Sequence, residues 1–279
     1  MLAFSLWRKA WRLIRTLPTL AVYFALAPFG YAGLALVTVL PTRDANARVR
    51  RLQGVMSRAF RLMHDWLRAI RLLDFNPREI TGALPEGPCV IVANHRTLTD
   101  ITAIMASFGP MTSVVKSEVY RKWWLRPLVE GAGFIEGTSD DRLGLASLLD
   151  SSVPRLQNGF SLLFFPEGTR APSDRLLPFG RTAFEIACRA NVPVVPVLLR
   201  WKHPWLSKDC RLFQISTGLT QLRMEVLPPV HPGDHQGSSR ALRDVVQTLF
   251  LTHLDRESGM VGEGYHAGIN RESAQASHR

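Results

Sequence analysis

The sequence predicts an α/β fold in which a mixed, largely parallel sheet is flanked by helices. From residue 75 onward, short apolar runs typical of buried strands alternate with helix-length stretches, a pattern typical of α/β layer folds. At 279 residues and 46% apolar composition, the chain is long enough to bury one substantial core. The predicted organisation is an N-terminal, membrane-associating helical region over residues 1–74, an α/β domain over 75–255 and a polar, disordered tail over 256–279.

The N-terminal region carries two features that indicate a membrane. Residues 16–42 contain no charged side chain and are mostly apolar, and a bilayer crossing takes about 20 such residues. Trp7 and Trp11 are interleaved with arginines just before this run, as in helices that lie at the membrane interface. Arginines flank the run on both sides, and Pro28 and Gly30 lie within it. A bent element that dips into one leaflet and a single-pass anchor therefore both fit.

Residues 45–73 are predicted to form a long amphipathic helix. Apolar residues recur at helical spacing from Val49 to Ile70, and arginines form a second, basic face. Two interpretations fit this pattern equally. The helix could lie on the membrane, or its apolar face could pack on the domain while its charged side remains solvated.

The α/β domain is predicted from runs in which the hydrophobic period changes between that of a strand and that of a helix. The predicted strands occupy residues 79–82, 89–93, 112–115, 133–135, 161–165, 194–200, 212–216 and 224–226. The predicted helices of the domain occupy residues 100–107, 124–130, 140–156, 180–190 and 239–254.

The stretch from Cys89 to Asp100 holds the first candidate for chemistry. An apolar run ends at Asn94 and His95, and a carboxylate follows at the start of the next predicted helix. Such connections at the carboxyl ends of strands are where α/β folds place active sites. A neutral imidazole can accept a proton near pH 7, and a carboxylate on its other nitrogen would fix its tautomer. His95 and Asp100 are therefore a candidate general base and its orienting acid, and a helix-capping Asp beside a surface His is the alternative.

A second motif, Phe165-Pro166-Glu167-Gly168-Thr169-Arg170, follows later in the chain. The pair of motifs, His95-(four residues)-Asp100 and then this one, resembles the phospholipid/glycerol acyltransferase family, of the lysophosphatidate acyltransferase type. Lys116-Ser117-Glu118 and the Val- and Pro-rich run at 192–197 resemble two further blocks of that family. The resemblance covers about residues 75–230.

The resemblance implies a membrane-bound O-acyltransferase that needs no cofactor. His95 would take the proton of the hydroxyl of a lyso-lipid such as 1-acylglycerol-3-phosphate, and Asp100 would orient His95. The alkoxide would then attack an acyl thioester, either acyl-CoA or acyl-carrier protein, without an acyl-enzyme. No serine lies in a G-x-S-x-G elbow, in agreement with direct transfer. The substrate-binding residues implied by the resemblance are Lys116, Glu167, Gly168, Thr169 and Arg170.

The individual roles within this set each have a plainer alternative. The resemblance assigns Glu167 to the acceptor hydroxyl and Arg170 to the acceptor phosphate, which a guanidinium binds well. A surface ion pair between these two side chains is the alternative. Lys116 resembles a second phosphate contact of the family, and the alternative is an exposed lysine at a strand end.

One stretch, from Gly131 to Gly137, departs from the family pattern. Relatives specific for lysophosphatidate usually carry an arginine where this chain has Gly137. One cation fewer weakens the case for a phosphomonoester acceptor. A lyso-aminolipid, another lysophospholipid or a specialised lipid hydroxyl would fit as well.

Composition indicates the partners and the compartment. A net charge of +11 and a pI near 10.4 indicate an anionic partner. We expect anionic membrane lipids and an acidic carrier protein or acyl-CoA, and no nucleic acid because no recognised motif is present. Three widely spaced cysteines favour a reducing compartment, and no histidine or cysteine spacing indicates a metal. We therefore expect a catalytic domain on the cytoplasmic face of the inner membrane.

Two other classes of function fit parts of the same sequence. A lipid hydrolase or thioesterase would use water on the same His95/Asp100 pair and would release free fatty acid without an acceptor. A non-catalytic, basic membrane-binding protein would carry the two motifs as relics.

Overall fold

One mixed sheet of seven strands is the centre of the fold in the part of the chain that this computed structural model describes, which is residues 32–33, 36–37, 41–42, 44–80, 84–137, 142–172, 175–204, 207 and 219–258. The strands are β1 (Leu73–Asp74), β2 (Val90–Ala93), β3 (Thr112–Lys116), β4 (Ile135–Gly137), β5 (Leu162–Phe164), β6 (Val194–Lys202) and β7 (Thr220–Val226). Their order in the sheet is β1-β7-β6-β2-β5-β3-β4. The pairings of β2 with β5 and β6, of β3 with β4 and β5, and of β1 with β7 are parallel, and that of β6 with β7 is antiparallel. The predicted mixed, largely parallel sheet is confirmed.

Helices cover both faces of this sheet. They are α1 (Ala45–Ala69), α2 (Asp100–Phe108), α3 (Ser117–Tyr120), α4 (Arg126–Gly131), α5 (Arg142–Gln157), α6 (Thr182–Ala190) and α7 (Ser239–Ser258). Residues of α1, α2 and α4 form one apolar core with the sheet, and residues of α5, α6 and α7 form the other. Along β2, Ile91 faces the first core while Val90 and Val92 face the second, because successive strand residues point to opposite faces. Both faces of this strand are therefore buried, which explains its uninterrupted apolar sequence.

The helix α1 packs on the domain through its apolar face. Leu52, Met56 and Leu67 are buried in the core that α1 shares with α2 and the sheet. The helix ends at Ala69, short of the predicted residue 73. The chain turns at Arg71, whose φ of 55° lies in the left-handed region, and then enters the sheet as β1. Of the two interpretations of this amphipathic pattern, packing on the domain accounts for these buried residues, whereas Leu62 and Trp66 of the same helix are exposed.

The strand predicted at residues 79–82 is wrong over residues 79–80, where a 3-10 helix, Pro77–Ile80, is found instead. Residues 81–82 lie outside the described part of the chain. The Asn76 side chain accepts a hydrogen bond from the backbone N–H of Arg78 (3.2 Å) and donates one to Glu79 Oε1 (3.0 Å). These local contacts stabilise a helical turn, as in a helix N-terminal cap, and they outweigh the weak strand propensity of so short a run.

Several other boundaries differ from the sequence-based expectation. The last strand begins at Thr220 and not at residue 224, and α7 extends to Ser258. The strand predicted at 212–216 and the apolar run at 16–42 fall outside the described residues, the latter almost entirely. Within the described ranges, no helix combines the length and the hydrophobicity that a bilayer crossing requires.

Candidate active site

Both sequence motifs lie at one edge of the sheet. Because β2 and β5 pair in parallel, with Val92 opposite Phe164, the loops that carry His95 and Glu167 leave the sheet side by side. The next two strands along, β3 and β4, are paired so that Lys116 lies opposite Gly137. The edge at which β2 to β6 end is termed the carboxyl edge below.

His95 and Asp100 are in direct contact at this edge. His95 Nδ1 donates to Asp100 Oδ2 across 2.8 Å, with the donor role assigned from the carboxylate partner. The Asp100 side chain is completely buried, whereas that of His95 is 20% exposed. The imidazole stacks on Phe165, with 4.3 Å between ring centroids. His95 Nε2 has no hydrogen-bond partner among the residues that the structure describes.

Asp100 is held by five hydrogen bonds. Its Oδ2 accepts from His95 Nδ1 and from the backbone N–H groups of Arg96 (2.6 Å) and Thr97 (2.8 Å). Its Oδ1 accepts from Thr97 Oγ1 (2.7 Å) and from the indole Nε1 of Trp201 (2.9 Å). These five donors fix the orientation of the Asp100 side chain.

Glu167 connects the two motif loops. Its Oε1 accepts from the backbone N–H of His95 and its Oε2 from that of Leu177, each at 2.8 Å. Glu167 is nearly buried. Burial raises the pKa of this carboxyl group above its usual value, and the two backbone N–H groups oppose that rise. The resemblance assigned Glu167 to the acceptor hydroxyl, but in this structure both of its oxygens are occupied by the protein backbone.

Two further contacts join the loop after β2 to its surroundings. Asn94 is fully buried, and its side chain pairs with the backbone of Leu199 in β6 through both its amide nitrogen (2.9 Å) and its carbonyl oxygen (2.7 Å). The carbonyl of His95 accepts from the backbone N–H of Ala171 (2.7 Å). The Asn94 side chain therefore extends the β2–β6 pairing by one step.

The remaining predicted site residues lie on the same edge with less defined contacts. Gly168 has a φ of 65°, which favours glycine, and its N–H donates to Phe165 O at 3.1 Å. Thr169 and Arg170 are half-buried after it. Lys116 is exposed at the end of β3. No sequence pattern pointed to Trp201, which lies at the end of β6 and became a site residue only through its contact with Asp100.

A Cβ atom at Gly137 would be crowded. It would lie 3.1 Å from the carbonyl oxygen of Val115 and 3.3 Å from a methyl group of Val114. Gly137 also accepts a hydrogen bond from Ser117 Oγ through its carbonyl. At the position where relatives specific for lysophosphatidate carry an arginine, this chain therefore has a glycine next to which β3 and β4 pack closely.

Comparisons with known proteins agree with the fold and the motifs. The profile of the Acyltransferase family matches residues 77–200. The 1-acyl-sn-glycerol-3-phosphate acyltransferase alpha of Homo sapiens is 30% identical over 287 residues, which cover 93% of this chain and 95% of that protein. The lyso-ornithine lipid O-acyltransferase of Pseudomonas aeruginosa is 35% identical over 195 residues, covering 65% of this chain and 73% of that protein.

A solved structure shares the fold. The 1-acyl-sn-glycerophosphate (LPA) acyltransferase PlsC from Thermotoga maritima superposes with a TM-score of 0.67 at 21% identity, over 92% of this chain and all of that one. Together with the full-length similarity to the human protein, this identifies the chain as a member of the acyltransferase family, of the 1-acyl-sn-glycerol-3-phosphate acyltransferase type.

Proposed function

We propose that the protein transfers a fatty acyl group from a thioester to the hydroxyl of a lyso-lipid, with His95 as the general base. The observation that carries this proposal is the His95–Asp100 contact. Asp100 occupies Nδ1, is itself held by four other donors, and leaves Nε2 for a substrate hydroxyl. A base positioned in this way contributes about 10²–10⁴ in rate.

The reaction follows from this geometry in two proton transfers. Nε2 accepts the proton of the acceptor hydroxyl while the oxygen attacks the thioester carbonyl. The buried carboxylate stabilises the imidazolium that forms. The new C–O bond forms, the C–S bond breaks, and the proton on Nε2 passes to the departing thiolate of CoA or of acyl-carrier protein. His95 is then neutral again.

The positions of two cysteines support direct transfer without an acyl-cysteine. Cys89 is buried before β2, at the opposite edge of the sheet from His95, and Cys188 lies near the end of α6. Burial raises the pKa of both thiols, which lowers the fraction of reactive thiolate. Cys210 falls outside the described residues.

Glu167 is proposed as a positioning residue for His95. It accepts the backbone N–H of His95, so its carboxylate holds the loop in which the base lies. Lys116 and Arg170 are proposed to bind the anionic headgroup, because both are cationic side chains at the carboxyl edge of the sheet. Gly168 and Thr169 complete this loop. The protein is proposed to act at the cytoplasmic face of the inner membrane on lipid drawn from that membrane.

Two lyso-lipids are candidates for the acceptor of the acyl group. Lysophosphatidate is named by the human relative, and a lyso-aminolipid is favoured by a specific feature of this chain, Gly137. An arginine there would lie beside Lys116, its partner across β3 and β4, and would supply a second cation to a phosphate. The Pseudomonas aeruginosa relative, whose name specifies a lyso-ornithine lipid, shows that the family includes an acceptor without a phosphomonoester.

The catalytic role is tested with His95→Ala and His95→Asn. The Asn amide can still donate to Asp100 in place of Nδ1, so this second variant removes the base while keeping the contact. Thiol release is measured with lysophosphatidate, with lyso-ornithine lipid and without acceptor. We expect kcat to fall at least about a hundredfold in both variants. Retention of more activity than this would contradict the assignment of His95. Free fatty acid formed by the wild type without an acceptor would establish a hydrolase instead.

The acceptor is tested with Gly137→Arg, and Gly137→Ala is the matched control because it adds the same crowding of Val115 without the charge. We expect lysophosphatidate to be a poor substrate of the wild type. Relative to Gly137→Ala, the arginine variant should improve kcat/KM for lysophosphatidate about ten- to a hundredfold, the range for one charge-assisted contact. Efficient use of lysophosphatidate by the wild type would contradict the preference for a lyso-aminolipid.

A further inference from the structure

Exposed apolar side chains are concentrated at the carboxyl edge of the sheet. Among the described residues, ten large apolar side chains are exposed, and six of them lie in loops or first turns at this edge: Leu98, Val119, Trp123, Trp124, Leu143 and Leu219. Single exposed apolar side chains scattered over a protein surface need no explanation, whereas a cluster of them around an active site indicates an interaction surface.

Trp123 and Trp124 are the most prominent members of this cluster. They lie between α3 and α4, where the chain has just left β3, and Trp123 is 86% exposed. The short helix α3 before them buries none of its residues. Val119, Trp123 and Trp124 are termed the aromatic patch below. No packing within the described domain accounts for a tryptophan that is almost fully in water.

The charges around the aromatic patch are mainly positive. Between residues 116 and 126 there are four cations and one carboxylate, Glu118. Arg121 and Arg126 form ion pairs with glutamates of β4 and α4. Lys116 and Lys122 have no carboxylate partner in the described part of the chain, and Lys122 Nζ lies 5.9 Å from the centre of the Trp124 ring. A tryptophan pair beside unpaired lysines matches the headgroup region of an anionic bilayer.

We propose that the aromatic patch docks the carboxyl edge on an anionic lipid surface, so that a lyso-lipid reaches His95 directly from the membrane. Tryptophan rings enter the headgroup and upper acyl region, and Lys122 meets the lipid phosphates. Leu98 lies in the loop between His95 and Asp100 and is 57% exposed, which brings the apolar surface to the base itself. This surface belongs to the α/β domain, and its residues lie outside the N-terminal apolar run in the sequence. The delivery of the acceptor rests on the proposed function, whereas the docking does not.

Fluorescence of the full-length chain tests the docking without any activity measurement. Vesicles of phosphatidylcholine and phosphatidylglycerol with brominated acyl chains quench tryptophans that enter the bilayer. The wild type is compared with Trp123→Phe/Trp124→Phe, which keeps apolar rings but removes their emission. We expect the difference between the two emission spectra to be blue-shifted and quenched by the brominated lipid. An unquenched difference with the emission of water-exposed tryptophan would overturn the proposal.

Kinetics test the delivery of the acceptor. In Trp123→Ala/Trp124→Ala, kcat/KM for a long-chain acceptor embedded in vesicles should fall about tenfold or more, because most of the insertable apolar surface is lost. Activity on a short-chain acceptor below its critical micelle concentration should change less than about twofold. The control is Val245→Ala, an exposed apolar residue on α7 in the opposite helix layer, which should leave both activities unchanged.

Two other kinetic results would decide against the proposal. Equal loss on both acceptors would make the aromatic patch a structural support of the site. A rise in KM confined to acyl-carrier protein as donor would make it a docking surface for that protein. If the wild type were inactive on every acceptor, the proposed function would fail, and the quenching experiment would still decide whether the patch meets lipid.

Discussion

Asp100→Asn should preserve the tautomer of His95, because the surroundings of the side chain dictate which way the amide points. Oδ2 faces three N–H donors: His95 Nδ1 and the backbone groups of Arg96 and Thr97. Oδ1 faces the Thr97 hydroxyl and the Trp201 indole N–H. A hydroxyl can reverse its role, whereas a backbone N–H cannot. The carbonyl oxygen of the variant must therefore take the place of Oδ2, where it still accepts from Nδ1–H.

The loss of stability in Asp100→Asn follows from the same arrangement of donors around the side chain. The Thr97 hydroxyl can accept from the new amide group and donate to Thr99 Oγ1, which lies 2.9 Å away. The Trp201 N–H is left without an acceptor, which lowers the free energy of unfolding by about 1–3 kcal/mol. The three retained hydrogen bonds weaken because their acceptor is no longer charged. Part of this loss is offset because the variant does not bury a charged group. We expect the free energy of unfolding to fall by about 2–4 kcal/mol.

The cost in activity should be smaller than in a variant that reverses the tautomer. In a Ser-His-Asp triad, the corresponding change puts the imidazole in the wrong tautomer and lowers kcat by about 10⁴. Here the tautomer is kept, and only the carboxylate charge beside the imidazolium is lost. For charges about 4 Å apart, at an effective dielectric constant of about 20, that interaction amounts to ~4 kcal/mol, or about a thousandfold in rate. We therefore expect kcat to decrease roughly a hundredfold to a thousandfold.

Two measurements test this reasoning. Acyl transfer is followed by thiol release, and the loss in kcat for Asp100→Asn is compared with that for His95→Ala. Urea unfolding is measured for Asp100→Asn, Trp201→Phe and the double variant. Removing the indole N–H should destabilise the wild type but not the Asn variant, in which that N–H already lacks an acceptor. If kcat fell by roughly ten-thousandfold or more, or if the losses in stability were additive, the forced orientation of the amide would be refuted.

Three further changes test other parts of the site and the core. Trp201→Phe alone should lower the free energy of unfolding by about 1–2 kcal/mol and kcat by less than about tenfold, measured by urea unfolding and thiol release, because four donors remain on Asp100. Burial lowers the pKa of His64 to about 4 and Asp65 opposes the shift. The unfolded chain therefore binds this proton more readily, and stability should fall by about 2–3 kcal/mol from pH 7 to pH 4.5. His64→Gln should remove most of this pH dependence in urea unfolding; an unchanged slope would assign it to other groups. In Glu167→Gln one side-chain oxygen still accepts a backbone N–H, and the other N–H, of His95 or Leu177, loses its acceptor. The free energy of unfolding should therefore fall by about 1–3 kcal/mol, and kcat should decrease without a rise in the KM of the acceptor. A rise in that KM alone would instead support binding of the acceptor by Glu167.

The parts of the site that were predictable depend on local patterns. A buried run that ends at His95 with a carboxylate five positions later places both groups on one connection, whatever the rest of the chain does. The parallel arrangement of β2 and β5 then brings the second motif beside the first. This is why the fold class and the His95–Asp100 contact followed from sequence reasoning.

The other contacts depend on pairs of residues that are distant in sequence. Asn94 and Leu199 are separated by 105 positions, and Asp100 and Trp201 by 101. Hydrophobic periodicity indicates which face of a strand is buried, but not which polar atoms meet across two strands. The two backbone partners of Glu167 were missed for the same reason, and the family resemblance alone assigned its carboxylate to the substrate.

The backbone of His95 is bonded on both sides to the loop after β5. Its N–H donates to Glu167, and its carbonyl accepts from Ala171. The geometry of the base thus depends on these cross-links and on the register of β2 with β5. Loops between α2 and β5 can lengthen, shorten or change sequence while the base stays in place. During evolution, new headgroup preferences can therefore arise in that segment, which includes Lys116 and Gly137, without rebuilding the chemistry of acyl transfer.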